Sequence, residues 1–297
     1  MVYKIAILHT KIRDFLHLIK NLHTLRRAYD VLLWQNSTLL PVFMIEIQFY
    51  ETMLLLSAVV NLMMAVTLIH NNYAYSFYEI YHRSRWIVAL CFTIFSIGFL
   101  MHYLFQWRTN WPDAASALTV SYFHVGGVLF GWSHISLLNP NYMTRKVVVR
   151  DLLILFIGIA CYWTVAITGM KSYELQFGIF FIHALYISYV LYRTLNRVRR
   201  LTKELPQNKN NARWWTDDNR MGVIGFQRSI RISCHLIVLF GIGSIVVTAC
   251  FPNTQHWPYS VLLSMGVVVF IYIFYALTEY GTVIEAGTNA TEDVASY

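Results

Sequence analysis

Five histidines fall within long apolar stretches of this sequence, and their type and position offer more chemistry than any other group of residues. They are His102, His124, His134, His183 and His235. Ionisable side chains are costly inside a membrane, so each is a candidate functional residue. A neutral imidazole can ligate a metal or a haem iron, and histidines on facing helices build such sites in helix bundles.

Positions along the stretches predict that these histidines lie at different depths. His124 and His183 fall near the middle of their stretches, and His102 falls near one end with Glu51 at a comparable height. His134 and His235 fall near the opposite end. We therefore predict a ligand cavity whose lining includes His124, His183, Tyr122, His102 and Glu51.

A b-type haem is the cofactor that His124 and His183 would hold if they were axial ligands on facing helices. A simpler explanation is that each histidine bonds a carbonyl or hydroxyl group on a neighbouring helix. His134 lies only about 15 Å along its helix from His124, which is short for a second, stacked haem. We predict no cofactor and no metal, and we keep haem b as an alternative.

Gly127 and Gly131 lie beside these histidines at GxxxG spacing. Small residues at this spacing let membrane helices approach closely, so we predict that both glycines serve helix packing. Ser121, Tyr122 and Ser133 add polarity to the same stretch. We therefore expect this helix to lie in the interior, where any ligand cavity should touch it.

The elements that carry these residues are seven apolar stretches, each close to the roughly 20 residues that a helix needs to cross a bilayer. Of all residues, 57% are hydrophobic and 13% charged, against about 25% charged residues in soluble domains. Strands of a membrane barrel would alternate in polarity, whereas residues 152–165 are apolar on every face. The sequence predicts an all-α bundle of seven transmembrane helices over Phe49–Ile69, Trp86–Gln106, Ala114–Leu138, Asp151–Thr168, Leu175–Leu195, Ile232–Phe251 and Tyr259–Tyr280.

Lysine and arginine counts in the connections predict the orientation, because basic loops stay in the cytoplasm. Ten basic residues lie between residues 193 and 231, and further ones precede the second and fourth stretches. The opposite connections hold only Arg108 and Lys171. This distribution predicts an external N-terminus and a cytoplasmic C-terminus.

Residues 1–43 conflict with this orientation, because they are basic and should also remain inside. Their apolar residues repeat at helical spacing, which is typical of an interfacial amphipathic helix. Either this segment is a genuine extension, or translation naturally begins at Met44 or Met53. We favour the second explanation, since it removes the conflict.

The remaining segments are a transmembrane domain over 44–281, a cytoplasmic loop over 196–230 and a tail over 282–297. The loop carries Trp214 and Trp215 as well as basic residues, and we interpret it as a solvated connection anchored at the membrane interface. A docking site for a cytoplasmic partner over 193–231 is the alternative. The tail is acidic without Lys or Arg, so we predict disorder.

No motif for a known enzyme class occurs in this sequence. HExxH, GxSxG, a P-loop and CxxCH are all absent, and the four cysteines have no CxxC spacing. The seventh stretch contains no lysine for a retinal Schiff base. Asn139-Pro-Asn-Tyr142 follows the third stretch, and we interpret it as a turn. We therefore predict a protein without catalytic activity.

Helix number, external N-terminus, short loops and polar interior resemble the seven-transmembrane sensory modules at the N-termini of bacterial sensor kinases and membrane-tethered regulators. The resemblance covers residues 44–281. It implies a sensory or partner-binding protein of the bacterial inner membrane, in contact with lipids and a cytoplasmic partner and not with nucleic acid. Such modules normally lead into an effector domain, whereas this sequence ends about sixteen residues after the last stretch, so we expect a separate partner.

Two other functions remain as alternatives. A small-solute transporter ranks second, below the sensory protein. It is placed lower because the sequence shows neither the repeated halves of many transporters nor a Lys, Arg or acidic residue at mid-depth. A membrane redox protein with haem b ranks third.

Overall fold

Helices make up the protein wherever its structure is described. The computed structural model describes residues 40–70, 79–139, 141–169, 173–204, 217–251 and 255–295, and no strand occurs within these ranges. The helices are α1 Leu40–His70, α2 Glu79–Phe105, α3 Trp107–Asn110, α4 Pro112–Leu138, α5 Arg145–Thr168, α6 Tyr173–Glu204, α7 Asp217–Cys250 and α8 Trp257–Ala295.

Seven of these helices, all except the four-residue α3, are long and apolar enough to cross a membrane. The prediction of an all-α, seven-helix integral membrane protein is therefore confirmed. Large apolar side chains such as Phe156 and Ile167 are exposed on the outside of the bundle and contact lipid. The orientation of the termini stays a prediction.

Helix α5 begins earlier than the sequence suggested. Thr144 caps it, with its hydroxyl oxygen accepting a hydrogen bond from the Val147 N–H at 3.4 Å. The apolar pattern places the start of the fourth stretch at Asp151, because Arg145, Lys146 and Arg150 are charged. Asp151 in fact lies almost two turns inside the helix, where it is fully buried. The sequence did not indicate this burial, and the lack of an acidic residue at mid-depth stays a prediction.

Several predicted segment boundaries fall within helices. Helix α1 begins at Leu40, before the boundary at residue 44, and residues 1–39 lie outside the described part. Helix α6 continues to Glu204 and α7 begins at Asp217, so the described parts of 196–230 extend these two helices. Helix α8 continues to Ala295 across most of 282–297, for which disorder was predicted. No proline interrupts it there.

Helix α4 lies at the centre of the bundle. In its most apolar window 78% of the residues are buried, compared with 22% in α5 and in α6. Its aromatic side chains pack against those of α2 and α8, where Phe95 and Phe270 stack with ring centroids 4.8 Å apart. This arrangement confirms that the polar, glycine-containing third stretch is the interior helix, and it places His124 in the bundle core.

Candidate functional site: a buried network of polar side chains

His124 of α4 and His183 of α6 meet inside the bundle. Nε2 of His124 lies 2.8 Å from Nδ1 of His183, at hydrogen-bonding distance, and both side chains are buried. The sequence placed both residues near mid-membrane, and the structure brings them into direct contact.

Tyr162 of α5 is the next partner of His124. Its hydroxyl lies 2.9 Å from His124 Nδ1, and the tyrosine is fully buried. Gly158, one turn earlier on α5, leaves the space for this contact. A Cβ atom at position 158 would lie 3.0 Å from the His124 ring and 3.0 Å from the Tyr162 hydroxyl.

Asp151 continues the contacts on the other side of His183. Its Oδ1 lies 3.6 Å from His183 Nε2, slightly beyond a hydrogen bond. Trp132 Nε1 donates to Oδ2 at 2.8 Å, and Arg150 Nε donates to Oδ1 at 2.8 Å. Since both neighbours donate, Asp151 is placed to act as an ionised, acceptor-only carboxylate.

Arg150 extends the contacts of Asp151 to the membrane face at which α5 begins. Its side chain is 38% exposed, donates to the Tyr186 hydroxyl at 2.7 Å and lies over the Tyr186 ring. Tyr142, in the connection before α5, lies close enough for this charge to act on it. Burial and the Asp151 carboxylate raise the pKa of Tyr142 to about 12. We call Tyr162, His124, His183, Asp151 and Arg150 the polar network.

The Asp151 carboxylate near His183 Nε2 favours one direction for the hydrogen bonds of the network. A neutral His183 that points an N–H at the carboxylate from Nε2 must accept at Nδ1, so His124 donates from Nε2. His124 Nδ1 is then an acceptor and takes the hydroxyl proton of Tyr162. Every proton in this arrangement points towards Asp151, along a path of about 16 Å between positions 162 and 151 of α5.

His102 and Glu51 belong to a different site, around Arg108. The buried Arg108 guanidinium lies 3.4 Å from the centroid of the Tyr259 ring and donates to the Tyr50 hydroxyl at 3.2 Å. His102 and Glu51 line a cavity of about 10 Å³ beside it. We call these residues, with Thr119 and His256, the Arg108 cluster.

Thr119 and His256 complete this cluster. The Thr119 hydroxyl lies 3.2 Å from His102 Nε2 and accepts from Arg108 Nη2 at 3.4 Å. His256 lies against the ring of Tyr50, with centroids 5.3 Å apart. Burial and the positive charge of Arg108 lower the pKa of His256 to about 4.

The other predicted residues take structural positions. Tyr122 packs edge-on against Phe95 and Phe99 and lines neither the cavity beside Arg108 nor the crevice described below. His134 and His235 each bond a backbone carbonyl four residues earlier in their own helix. Each therefore has one ring nitrogen bonded within its own helix, and not to the neighbouring helix that the sequence suggested for histidines in general.

The two glycines at GxxxG spacing differ from each other. A Cβ atom at Gly131 would run into Ile187, so this glycine does allow α4 and α6 to approach closely. A Cβ atom at Gly127 would meet nothing within 4 Å. Close packing therefore surrounds Gly131, whereas the space beside Gly127 is open.

Asp151, Tyr162 and Trp132 are the site residues that sequence reasoning missed. The sequence places Asp151 at the first residue of the fourth stretch, although Thr144 three residues before an apolar residue is a sign of an earlier helix start. Tyr162 and Trp132 have no comparable sign, because both residue types are common in membrane helices. Only the packing of α4, α5 and α6 shows that these residues meet.

The two histidines of the network do not leave room for a haem iron between them. Axial ligands on opposite sides of one metal lie about 4 Å apart, given metal–nitrogen bonds of about 2 Å, and these nitrogens are 2.8 Å apart. Among the residues described, no group of three or more His, Cys, Asp or Glu side chains could hold a metal ion. The haem alternative stays a prediction that requires this hydrogen bond to open.

Comparison with known proteins identifies no protein-family model that matches this sequence, no matching curated protein and no matching solved structure.

Proposed function

We propose that this protein is a sensory membrane protein whose sensing element is the polar network, which changes state when it gains or loses one proton. The observation that carries this proposal is the continuous run of contacts from Tyr162 through His124 and His183 to Asp151, at 2.9, 2.8 and 3.6 Å. Ionisable residues are rare within membranes, and runs of Asp and His are typical of proton pathways.

A comparison with histidines elsewhere in the bundle supports a role beyond packing for His124 and His183. His134 and His235 need only a carbonyl of their own helix to satisfy one ring nitrogen. His124 and His183 instead join α4, α5 and α6 through side chains alone. A network of this kind stabilises the bundle only while its protons are correctly arranged, so protonation and helix packing become coupled.

One added proton gives the network a second arrangement. If Nδ1 of His183 is protonated, His183 donates to His124, and His124 in turn donates from Nδ1 to the Tyr162 oxygen. The His183 imidazolium then faces the Asp151 carboxylate as an ion pair. Two arrangements that differ by one proton are what a histidine switch requires.

The network also has a route to a partner. Arg150 and Tyr142 lie at the membrane face from which α5 begins, beside the exposed Arg145 and Lys146. The charge distribution predicts that this face is cytoplasmic. A separate signalling protein that binds there would respond to a movement of Arg150.

The test is a pH titration of the full chain in lipid nanodiscs, across about pH 4 to 9, with isotope-labelled histidine. Difference infrared spectra report the imidazoles, and the fluorescence lost in Trp132→Phe identifies the tryptophan that bonds Asp151. We expect both signals to change together in the wild type. The transition should be lost in His183→Gln and shifted in Asp151→Asn.

His134→Gln is the matched control, because His134 is equally buried and lies outside the network. It should keep the transition. A transition that survives in His183→Gln, or that is lost equally in His134→Gln, would show that the polar network is not the sensing element.

A proton-coupled transporter is the second candidate, and the buried Asp151 favours it, since an acid within the span is what ion coupling needs. Proton uptake into liposomes that contain the purified protein, followed with an internal pH dye, distinguishes the two. Uptake abolished by Asp151→Asn would favour transport. A pH transition without proton flux would favour the sensor.

A further inference from the structure

A crevice between α6 and α7 opens on the lipid-facing surface and ends in the bundle core. Leu185 and Ile242, at its mouth, are 54% and 48% exposed, whereas Phe95 and Phe270, at its inner end, are buried. Its volume is about 100 Å³. The crevice therefore connects the hydrocarbon region of the membrane with the centre of the bundle.

The lining of this crevice is apolar apart from two side chains. Among the described residues that line it, His124 and Ser188 are the only polar ones, and the others are phenylalanines from α2, α4, α6, α7 and α8, aliphatic side chains and glycines. The His124 ring packs against Phe180 of this lining, with centroids 5.4 Å apart. Whatever fills the crevice must be apolar, and it lies beside the polar network.

Two glycines keep the crevice open. Gly127 of α4 and Gly241 of α7 both line it, and a Cβ atom at either position would meet nothing within 4 Å. By contrast, Ile187 fills the space beside Gly131, one turn along α4. The opening is thus a local feature of α4 and α7 and not a general looseness of the bundle.

We propose that this crevice binds a hydrocarbon chain of a membrane lipid. A polypeptide helix is about 10 Å wide and cannot enter it, whereas a dry cavity of about 150 Å³ accepts one benzene ring. The mouth lies in a membrane-spanning region, so lipid chains are the molecules that reach it. A chain end inside restores the dispersion contacts that an empty apolar lining lacks.

This site deepens the proposed function by naming a ligand class for the sensor, and only its sensory role rests on that function. A chain seated in the crevice contacts Phe180 and the ring of His124, which the Tyr162 and His183 bonds hold in place. Occupancy would therefore shift the balance between the two arrangements of the network. The binding itself does not depend on any titration.

The test measures occupancy directly. The full chain is placed in phosphatidylcholine liposomes that contain phosphatidylcholine with a photoreactive diazirine in one acyl chain, and adducts are mapped by mass spectrometry after irradiation. We expect adducts concentrated on 184–188 and 237–242, above the level on lipid-facing residues such as Phe156 and Ile157. Excess non-photoreactive lipid should reduce the crevice adducts first.

Gly127→Phe fills the crevice from α4, where the new side chain has open space, and should abolish the crevice adducts. Gly178→Phe is the matched control, because Gly178 also has open space and does not line the crevice. Gly241→Phe repeats the filling from the opposite wall, so that a folding defect in one variant does not decide the result.

Adducts at the crevice no denser than those on Phe156 and Ile157, or unchanged in both filling variants, would overturn the proposal. A disulfide-linked dimer formed through Leu185→Cys would do the same and would assign the crevice to a second copy of this chain. Since neither readout depends on pH, the lipid site and the proton switch can fail independently.

Discussion

The polar network and the Arg108 cluster both hold a charge in a buried place, but they compensate it by different means. Arg108 lies under the Tyr259 ring and bonds the Tyr50 hydroxyl, so two tyrosine side chains surround this cation. Asp151 meets a histidine, an arginine and an indole N–H. The network therefore joins a carboxylate to histidines, whereas tyrosine side chains compensate Arg108.

The two sites therefore differ in the proposed role that their charges play in the bundle. A permanent cation held by an aromatic face fixes α1, the segment before α4 and α8 together without a second arrangement. In the proposed switch, the Asp151 carboxylate beside His183 gains a second arrangement when a proton is added. We infer that the Arg108 cluster is the rigid end of the bundle and that the polar network is the end that changes.

The largest effect that would test this comparison is expected from Arg150→Met. It leaves the fully buried Asp151 carboxylate without its cation, which costs about 3 kcal/mol in the free energy of unfolding. The cost should shrink as the pH is lowered, because protonation of Asp151 removes the buried charge. Denaturant unfolding in mixed micelles at two pH values measures both effects.

Arg108→Met is the counterpart in the other region, and Arg145→Met, at an exposed position, is the control. Arg108→Met should also destabilise the protein, through loss of the contacts to Tyr259 and Tyr50, but without the relief at low pH. Equal pH behaviour of the Arg108 and Arg150 variants would remove the distinction between the two regions.

The fold was predictable from the sequence because the signal for a membrane helix is the length of an apolar stretch. Apolar stretches near the bilayer span can hardly form anything but membrane helices, and the polar, small-residue composition of α4 predicted its interior position. Depth was also predictable, since a rise of about 1.5 Å per residue placed His124 and His183 at one level. Their contact is consistent with that estimate.

The partners of these histidines were not predictable for a physical reason. Which residues meet across helices depends on the rotation of each helix, and α5 is so uniformly apolar that its sequence does not indicate an inward face. Tyr162 and Asp151 therefore gave no sign of facing His124 and His183. Gly127 and Gly131 make the same point, because identical residues at GxxxG spacing have a void at one position and Ile187 at the other.

A smaller effect is expected from Gly158→Ala. The added methyl would lie 3.0 Å from His124 and from the Tyr162 hydroxyl, so it should push these groups apart and cost about 1 to 2 kcal/mol in the free energy of unfolding. Gly178→Ala, where the space is open, should be neutral or slightly stabilising. The cost of Gly158→Ala should fall in a Tyr162→Phe background, and full additivity would show that the glycine does not serve this contact.

The smallest effect is expected at His256, where the Arg108 cluster has its own response to pH. The pKa of His256 in the folded protein is about 4, below the value of about 6.5 for an unfolded chain. The unfolded state therefore takes up a proton between about pH 6.5 and 4 while the folded state does not, so stability falls as the pH is lowered through this window. At about pH 5.5, roughly one unit below the pKa of the unfolded chain, the loss is on the order of 1 kcal/mol. Unfolding of the wild type and of His256→Gln across this range measures the loss of stability, and the variant should lose less stability on acidification.

Parallel pH curves for the two proteins would show that His256 is not held neutral beside Arg108, and the cluster would then be less rigid than its geometry indicates.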